Sequence, residues 1–134
     1  MPINITRLNH ITFNAPSGEQ KKIKWFYGEV LGLEEVPIPK ALEHLYEITW
    51  FKMMDFLFHI EYIKNFRKPE RDTSGAILPG YHFAIEVKDI KALKQELMDK
   101  GAEIKEAVVI PDRERFYLVD PFDNYIEIIE FHKK

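Results

Sequence analysis

The feature that most constrains this chain is an order of elements that occurs twice. "LNHITFN", residues 8–14, has the alternation of a strand, and "PSGEQKKIKWFYGEVLGLEEV" follows with helical spacing. Ile23, Phe26, Tyr27, Val30 and Leu31 recur at i, i+3, i+4, i+7 and i+8, which is one face of a helix. Ser17 and Gln20 have capping-box spacing, and Gly32 is a natural stop. A short strand interrupted by Pro37 and Pro39 comes next, then "HLYEITWFK" and "FLFHIEYI" as two more, with Met53-Met54-Asp55 near their turn. Residues 64–80, "KNFRKPERDTSGAILPG", are polar, hold Pro, Gly and Ser, and read as a linker.

After the linker the order starts again. "YHFAIEV" is a strand, and Asp89 caps a helix through Lys100 that places Ile90, Leu93, Leu97 and Met98 on one face and stops at Gly101. "EIKEAVVI", "RFYLVD" and "YIEIIEF" are strands. Hairpins mixed with strand–helix steps argue an α+β fold rather than a doubly wound sheet. The expectation is one domain over residues 1–134, with one module at about 5–64, the linker at 64–80 and a second module at about 81–132.

The strands that open and close each half hold one metal-competent residue apiece: His10, His59, His82 and Glu127. Side chains alternate faces along a strand. Ile11 and Phe13, Phe58, Ile60 and Tyr62, Phe83, Ile85 and Val87, and Ile126 and Ile128 therefore share the faces that pack under the helices. The four ionisable residues lie on the opposite parity, among mixed neighbours such as Thr12, Glu61, Glu86 and Tyr125. Three imidazoles and a carboxylate are ligands for Zn, Fe, Mn, Ni or Co, and two His with one carboxylate also suit oxygen-activating Fe(II). A bound cation would offset the burial of Glu127 between Ile126 and Ile128. Glu61, one step along the same face from His59, is the rival fourth ligand. His44 and His132, at segment edges, are expected to be exposed.

Composition narrows the function classes. A formal net charge of −3 with both signs interspersed offers no face for a phosphate backbone, so nucleic acid is not an expected partner. No apolar run reaches the roughly 18 residues of a membrane span, and the first ten residues lack a signal layout. Zero Cys removes disulfides and thiolate chemistry and is compatible with the cytoplasm, the expected location. Arg67 and Arg115 are candidates to clamp a substrate carboxylate or phosphate, whereas Arg113 reads as a solvated loop cation. Tyr117, Trp50 and Phe66 are candidate cavity-wall or stacking aromatics.

Four motifs together resemble the vicinal oxygen chelate superfamily of glyoxalases, ring-cleaving dioxygenases, and fosfomycin- and bleomycin-resistance proteins. They are "LNHITF", "FYGEVLGLEEV", "YHFAIEVKDIKALKQELMDKGAEI" and "RFYLVDPFDNYIEIIE", and they span nearly the whole chain. The resemblance implies two βαβββ modules whose curved mixed sheet encloses a metal and ligand cavity, with helices outside. It implies one divalent metal, chelated by substrate oxygens, with His10 and His82 as opener ligands, Glu127 as the second closer and His59 at the first closer. Glyoxalase-type members often carry Glu at that first closer, where it serves as ligand and base; here Glu127 alone is left for that role. In "DPFDN", Asp123 stands where Gly is common, and Asp tolerates a left-handed turn. The implied function is a glyoxalase-like lyase or isomerase on a small substrate. A ring-cleaving dioxygenase or a metal-free bleomycin-type binding protein is the alternative. The family also forms homodimers, some with exchanged modules.

Overall fold

The computed structural model describes residues 3–72, 74 and 78–133. It divides into two compact units, Met1–Phe66 and Arg67–Lys134. The first contains β1 (His10–Pro16), α1 (Gln20–Ile23) running into a π-helix (Lys24–Val30), β2 (Glu34–Val36), a 3₁₀ turn (Lys40–Leu42), β3 (Ile48–Met53) and β4 (Phe56–Ile63). The second contains β5 (His82–Glu86), α2 (Ile90–Asp99), β6 (Glu103–Glu106), β7 (Arg113–Val119) and β8 (Tyr125–Phe131). Among the described residues no helix is long and apolar enough to cross a membrane.

Both units are βαβββ, so the fold is α+β as the sequence implies. The sheet orders are β1-β4-β3-β2 and β5-β8-β7-β6. Opener and closer run parallel, and the remaining neighbours run antiparallel. A parallel pair needs a long crossover, which the helix and the two intervening strands provide. The repeat extends to register. His10 lies opposite Leu57 and His82 opposite Tyr125, each two residues before the closer's ionisable residue. Trp50 faces His59 as Tyr117 faces Glu127.

In the first unit the apolar helix face is the one the spacing predicts: Ile23, Phe26, Tyr27 and Val30 are buried. Tyr27 meets the Phe58 ring at 4.7 Å and the Phe51 ring at 5.8 Å, so helix and sheet share an aromatic core. Each such side chain contributes about 1.5–3 kcal/mol by leaving water. Beyond Ile23 the winding is π, and Leu31 N–H reaches back five residues to the Phe26 carbonyl at 2.9 Å. Gly32, at φ +73°, ends it as expected. Ser17 and Gln20 form no capping box. Both donate to the Glu47 carboxylate, which also accepts Gly18 N–H at 2.7 Å. A carboxylate from just before β3 is a stronger acceptor than a neutral amide or hydroxyl, and so takes their place.

In the second unit α2 buries Ile90 and Leu97 and packs against β8. Met98, expected on that face, is 52% exposed. Asp89 makes no side-chain cap, because its backbone is left-handed (φ 58°, ψ 54°). Glu130 of β8 caps the helix instead, accepting Asp89 N–H at 2.8 Å and Ile90 N–H at 3.0 Å. Arg71 is anchored within the second unit. The Arg71 side chain is 5% exposed and lies 3.7 Å over the Tyr125 ring. It donates to the Pro79 and Asp123 carbonyls.

Candidate functional site

The second unit builds its site from a turn. Asp120 is buried, and one of its carboxylate oxygens accepts Phe122 N–H at 2.8 Å and Asn124 N–H at 2.9 Å. The other accepts the Asn124 amide at 2.8 Å. Asp123 takes the left-handed position, φ 69°, as expected of Asp. This turn starts β8 in the register that sets Glu127 opposite Tyr117 on β7 and Ala84 on β5.

Glu127 is there neither alone nor solvated. Its Oε1 is 3.1 Å from His82 Nε2, and its Oε2 is 3.5 Å from Arg115 Nη1. The His82 ring is anchored at its other nitrogen, with Nδ1 2.8 Å from the Gly80 carbonyl. Arg115 is held by donating to Tyr117 Oη at 3.0 Å and to the Val108 carbonyl at 2.8 Å. His82 also meets the Tyr117 ring edge-on at 5.9 Å. The sequence signals His82, Glu127, Arg115 and Tyr117 thus fall together. Arg71 was missed. Its signal was an Arg within a Pro- and Gly-flanked run, which reads the same whether the side chain is solvated or buried.

The first unit answers with rings. His59 is 9% exposed and lies flat between two neighbours, its centroid 4.1 Å from that of His10 and 4.1 Å from that of Trp50. The interplanar angles are 12° and 3°. Burial, with the charge of His10 beside it, pushes His59 down to about 4, so at neutral pH it is an uncharged ring. Its Nε2 is buried without a hydrogen-bond partner. His10 is exposed, with Nδ1 2.8 Å from Asn9 Oδ1. Rings bind an ion through in-plane lone pairs. Two parallel planes stacked at this distance do not aim their lone pairs at one point.

Trp50 and His59 also border a cavity of about 510 Å³ in the first unit, whose lining includes Leu45, Tyr46, Ile48 and Glu61. That volume and apolar lining are those of small-molecule sites. Arg67 is exposed, as are His44 and His132. Arg113 is tied to its neighbour Asp112 at 2.8 Å, and Asp112 raises its already high pKa further. Among the described residues no group of three or more His, Asp or Glu side chains is arranged to hold a metal ion.

No family model matches the sequence, and no curated protein does. Solved structures do match. A glyoxalase family protein from Bacillus anthracis is 35% identical, with 98% of this chain and 100% of that one covered and a TM-score of 0.84. A glyoxalase/dioxygenase from Nostoc punctiforme is 20% identical, with 99% and 96% covered and a TM-score of 0.78. The genomically encoded fosfomycin resistance protein FosX from Listeria monocytogenes is 16% identical, with 98% and 95% covered and a TM-score of 0.69. The last two speak for the fold alone. Identity over nearly the full length of the first, joined to two βαβββ units in matched register, makes this chain a member of the glyoxalase/bleomycin resistance protein/dioxygenase superfamily, the vicinal oxygen chelate proteins.

Proposed function

We propose that the chain is a divalent-metal-dependent enzyme, a glyoxalase-like lyase or isomerase, acting on a small substrate that presents neighbouring oxygens to the ion. The observation that carries this reading is the setting of the two opener imidazoles. Each has Nδ1 on an oxygen, Asn9 Oδ1 for His10 and the Gly80 carbonyl for His82. That makes Nδ1 the donor and leaves the lone pair of the neutral ring on Nε2, the arrangement of a metal-binding His. For His82 this lone pair stands 3.1 Å from Glu127 Oε1. Two acceptors so placed need a proton or a cation between them, and the spacing fits donors that each bind one ion at about 2.0–2.2 Å.

The proposed donors are His82 and Glu127 in the second unit and His10 in the first, residue types that suit Zn, Ni, Co, Mn or Fe. A divalent ion held there supplies Lewis-acid polarisation of substrate oxygens. His59 is assigned to the cavity wall, because its ring is stacked on His10 rather than directed with it. Glu127 is the closer carboxylate, hence a ligand and the sequence's candidate for moving a proton. Trp50 and Tyr117 are assigned to substrate contact and Arg67 to its approach. The proposed working form is a cytoplasmic homodimer, as the family resemblance implies.

The test is metal analysis of protein purified without a His tag. About one equivalent of transition metal is expected, as one such donor set holds one ion. It is lost in His82→Ala and Glu127→Ala and kept in His44→Ala. Failure of the folded wild type to take up any divalent ion sinks the reading. Oxygen consumption with Fe(II) and catechols, against turnover of thiol hemithioacetals, separates dioxygenase from lyase. The apolar cavity favours a second reading, sequestration of a ligand without metal. It prevails if an apolar ligand binds with equal affinity before and after chelator treatment.

A further inference from the structure

The segment after β6 departs from what its residues favour. Val108, Val109 and Ile110 are β-branched strand formers, yet β6 stops at Glu106, and Val108 and Val109 are left exposed. The segment turns back to a bridge between Ile110 and Arg113 and lines a cavity of about 400 Å³ in the second unit. Helix α2 adds Ile90, Lys91 and Lys94 to that lining, and β7 adds Glu114 and Phe116. The volume is that of a small-molecule site. Its charges are unlike those of the chain as a whole, which has a formal net charge of −3. The lining holds Lys91, Lys94, Arg113 and Arg115 against Glu106 and Glu114. The two arginines are engaged, Arg113 by Asp112, and Arg115 by Tyr117 Oη and the Val108 carbonyl. The two lysines pair with the carboxylates of the lining itself, Lys94 with Glu106, and Lys91 with Glu114 at 3.7 Å. The Lys94 pair is lopsided. The Lys94 side chain is 33% exposed, with Nζ 5.8 Å from the Phe116 ring centroid, whereas Glu106 is 74% exposed. A carboxylate so exposed adds little to the pair, and a competing carboxylate can replace it.

We propose that this cavity is a separate ligand site, for a small monocarboxylate with an apolar body of medium-chain acyl or aryl size. The ligand's carboxylate takes the place of Glu106 on Lys94, and Glu106 turns into solvent. Lys91, three residues earlier on the same helix, adds to the field that holds the anion. The apolar body lies against Ile90, Val108, Ile110 and Phe116. A carboxylate is the head group because the structure already sets one on each lysine. The site uses none of the proposed metal donors, so it stands or falls apart from the metal reading.

The probes are octanoate, octanol and octylammonium, titrated by calorimetry into the untagged full chain with chelator present. Backbone amide shifts in NMR locate the site. Octanoate is expected to bind saturably and to move the amides of Lys94, Val108 and Ile110. Octanol is expected to bind about 10-fold more weakly or worse, because it forgoes a charged hydrogen bond, and octylammonium not to bind. Lys94→Met, which keeps most of the apolar stem, is expected to weaken octanoate by about 10-fold or more. Glu106→Gln is expected to tighten it by up to about 5-fold, because it removes the competing carboxylate. A cavity merely braced by its ion pairs has no reason to gain affinity on that change, so unchanged or weakened binding in Glu106→Gln overturns the proposal. So do the absence of saturable octanoate binding, equal affinity for octanol, and shifts at Trp50 and Glu61, in the first unit, in place of those at Lys94 and Val108.

Discussion

The two units place different chemistry on the same backbone positions. His10 corresponds to His82, Trp50 to Tyr117, His59 to Glu127 and Ile48 to Arg115, all by strand register. In the second unit these positions form a polar cluster of His82, Glu127, Arg115 and the Tyr117 hydroxyl. In the first they form a stack of flat rings, with the neutral His59 between His10 and Trp50. A duplicated fold fixes where side chains can meet. It does not fix whether they meet as ligands or as a wall. The ring stack borders the cavity, and the polar cluster holds two of the proposed donors, His82 and Glu127.

The largest effects break the comparison at its centre. Glu127→Ala and His82→Ala are each expected to abolish stoichiometric metal binding, because each removes a donor outright. His59→Ala is expected to leave it within about 10-fold of wild type, the lower end of what a neighbouring group costs. Competition with a chromophoric chelator measures both. Loss of metal in His59→Ala as complete as in Glu127→Ala would return His59 to the ligand set.

A smaller effect separates the two closing hairpins. Asp120→Ala removes the acceptor for three N–H groups in a buried turn. A destabilisation of about 3 kcal/mol is expected, since each buried donor left unpaired costs about 1–3 kcal/mol. In the first unit Asp55 stands in the β3–β4 turn and is exposed beside Met54. Asp55→Ala is expected to stay within about 0.5 kcal/mol, as surface changes do. Urea unfolding decides it, and equal losses would mean that the Asp120 network is incidental.

Much of this contrast was legible in the sequence, and the part that was not has physical causes. Period-two alternation placed His10, His59, His82 and Glu127 on one parity because a strand leaves no other choice. Turn chemistry placed Asp123 in the left-handed region for the same local reason. The caps were read wrongly because a long-range carboxylate outcompeted the local side chain. Glu47 lies 29 residues from Gly18, and Glu130 41 residues from Asp89. Arg115 was placed near the site, but its acceptors, Tyr117 Oη and the Val108 carbonyl, were not legible, since sequence cannot say which acceptor a guanidinium will find. Arg71 was lost in a stretch whose composition describes a linker and whose burial depends on the fold around Tyr125.

The stack also has a pH signature. His59 is held down at about 4 by burial and by the charge of His10, against an ordinary 6.5. Between those two values the unfolded chain carries a proton that the folded chain refuses, so stability falls as pH drops from 6.5 toward 4. With chelator present, the urea midpoint of wild type is expected to decline between pH 7 and pH 5. In His59→Asn that decline is shallower. Identical slopes, or an NMR midpoint for His59 near the ordinary value, would remove the ring stack as its cause.

The smallest expected effect concerns a likeness rather than a difference. Each unit ties down the start of its helix with a carboxylate from the sheet side of the chain. Glu47 is lowered below the ordinary carboxylate range by the Ser17 hydroxyl, then by Gly18 N–H. Glu130 is lowered by the N–H groups of Ile90 and Asp89. A folded pKa below the unfolded one contributes stability above the ordinary value of 4.5 and loses it as pH falls through the folded pKa. Glu130→Gln and Glu47→Gln are therefore expected to lower Tm at pH 7, with the difference from wild type shrinking as pH falls below 4.5. The loss should be larger for Glu130, because it meets two free N–H groups at the start of the ten-residue α2, where the helix dipole adds to the attraction. Glu47 braces a four-residue α1 that runs into the π-helix, whose Tyr27 already packs on Phe58. A Tm difference that does not shrink as pH falls would show that the amide side chain, and not the lost charge, causes it.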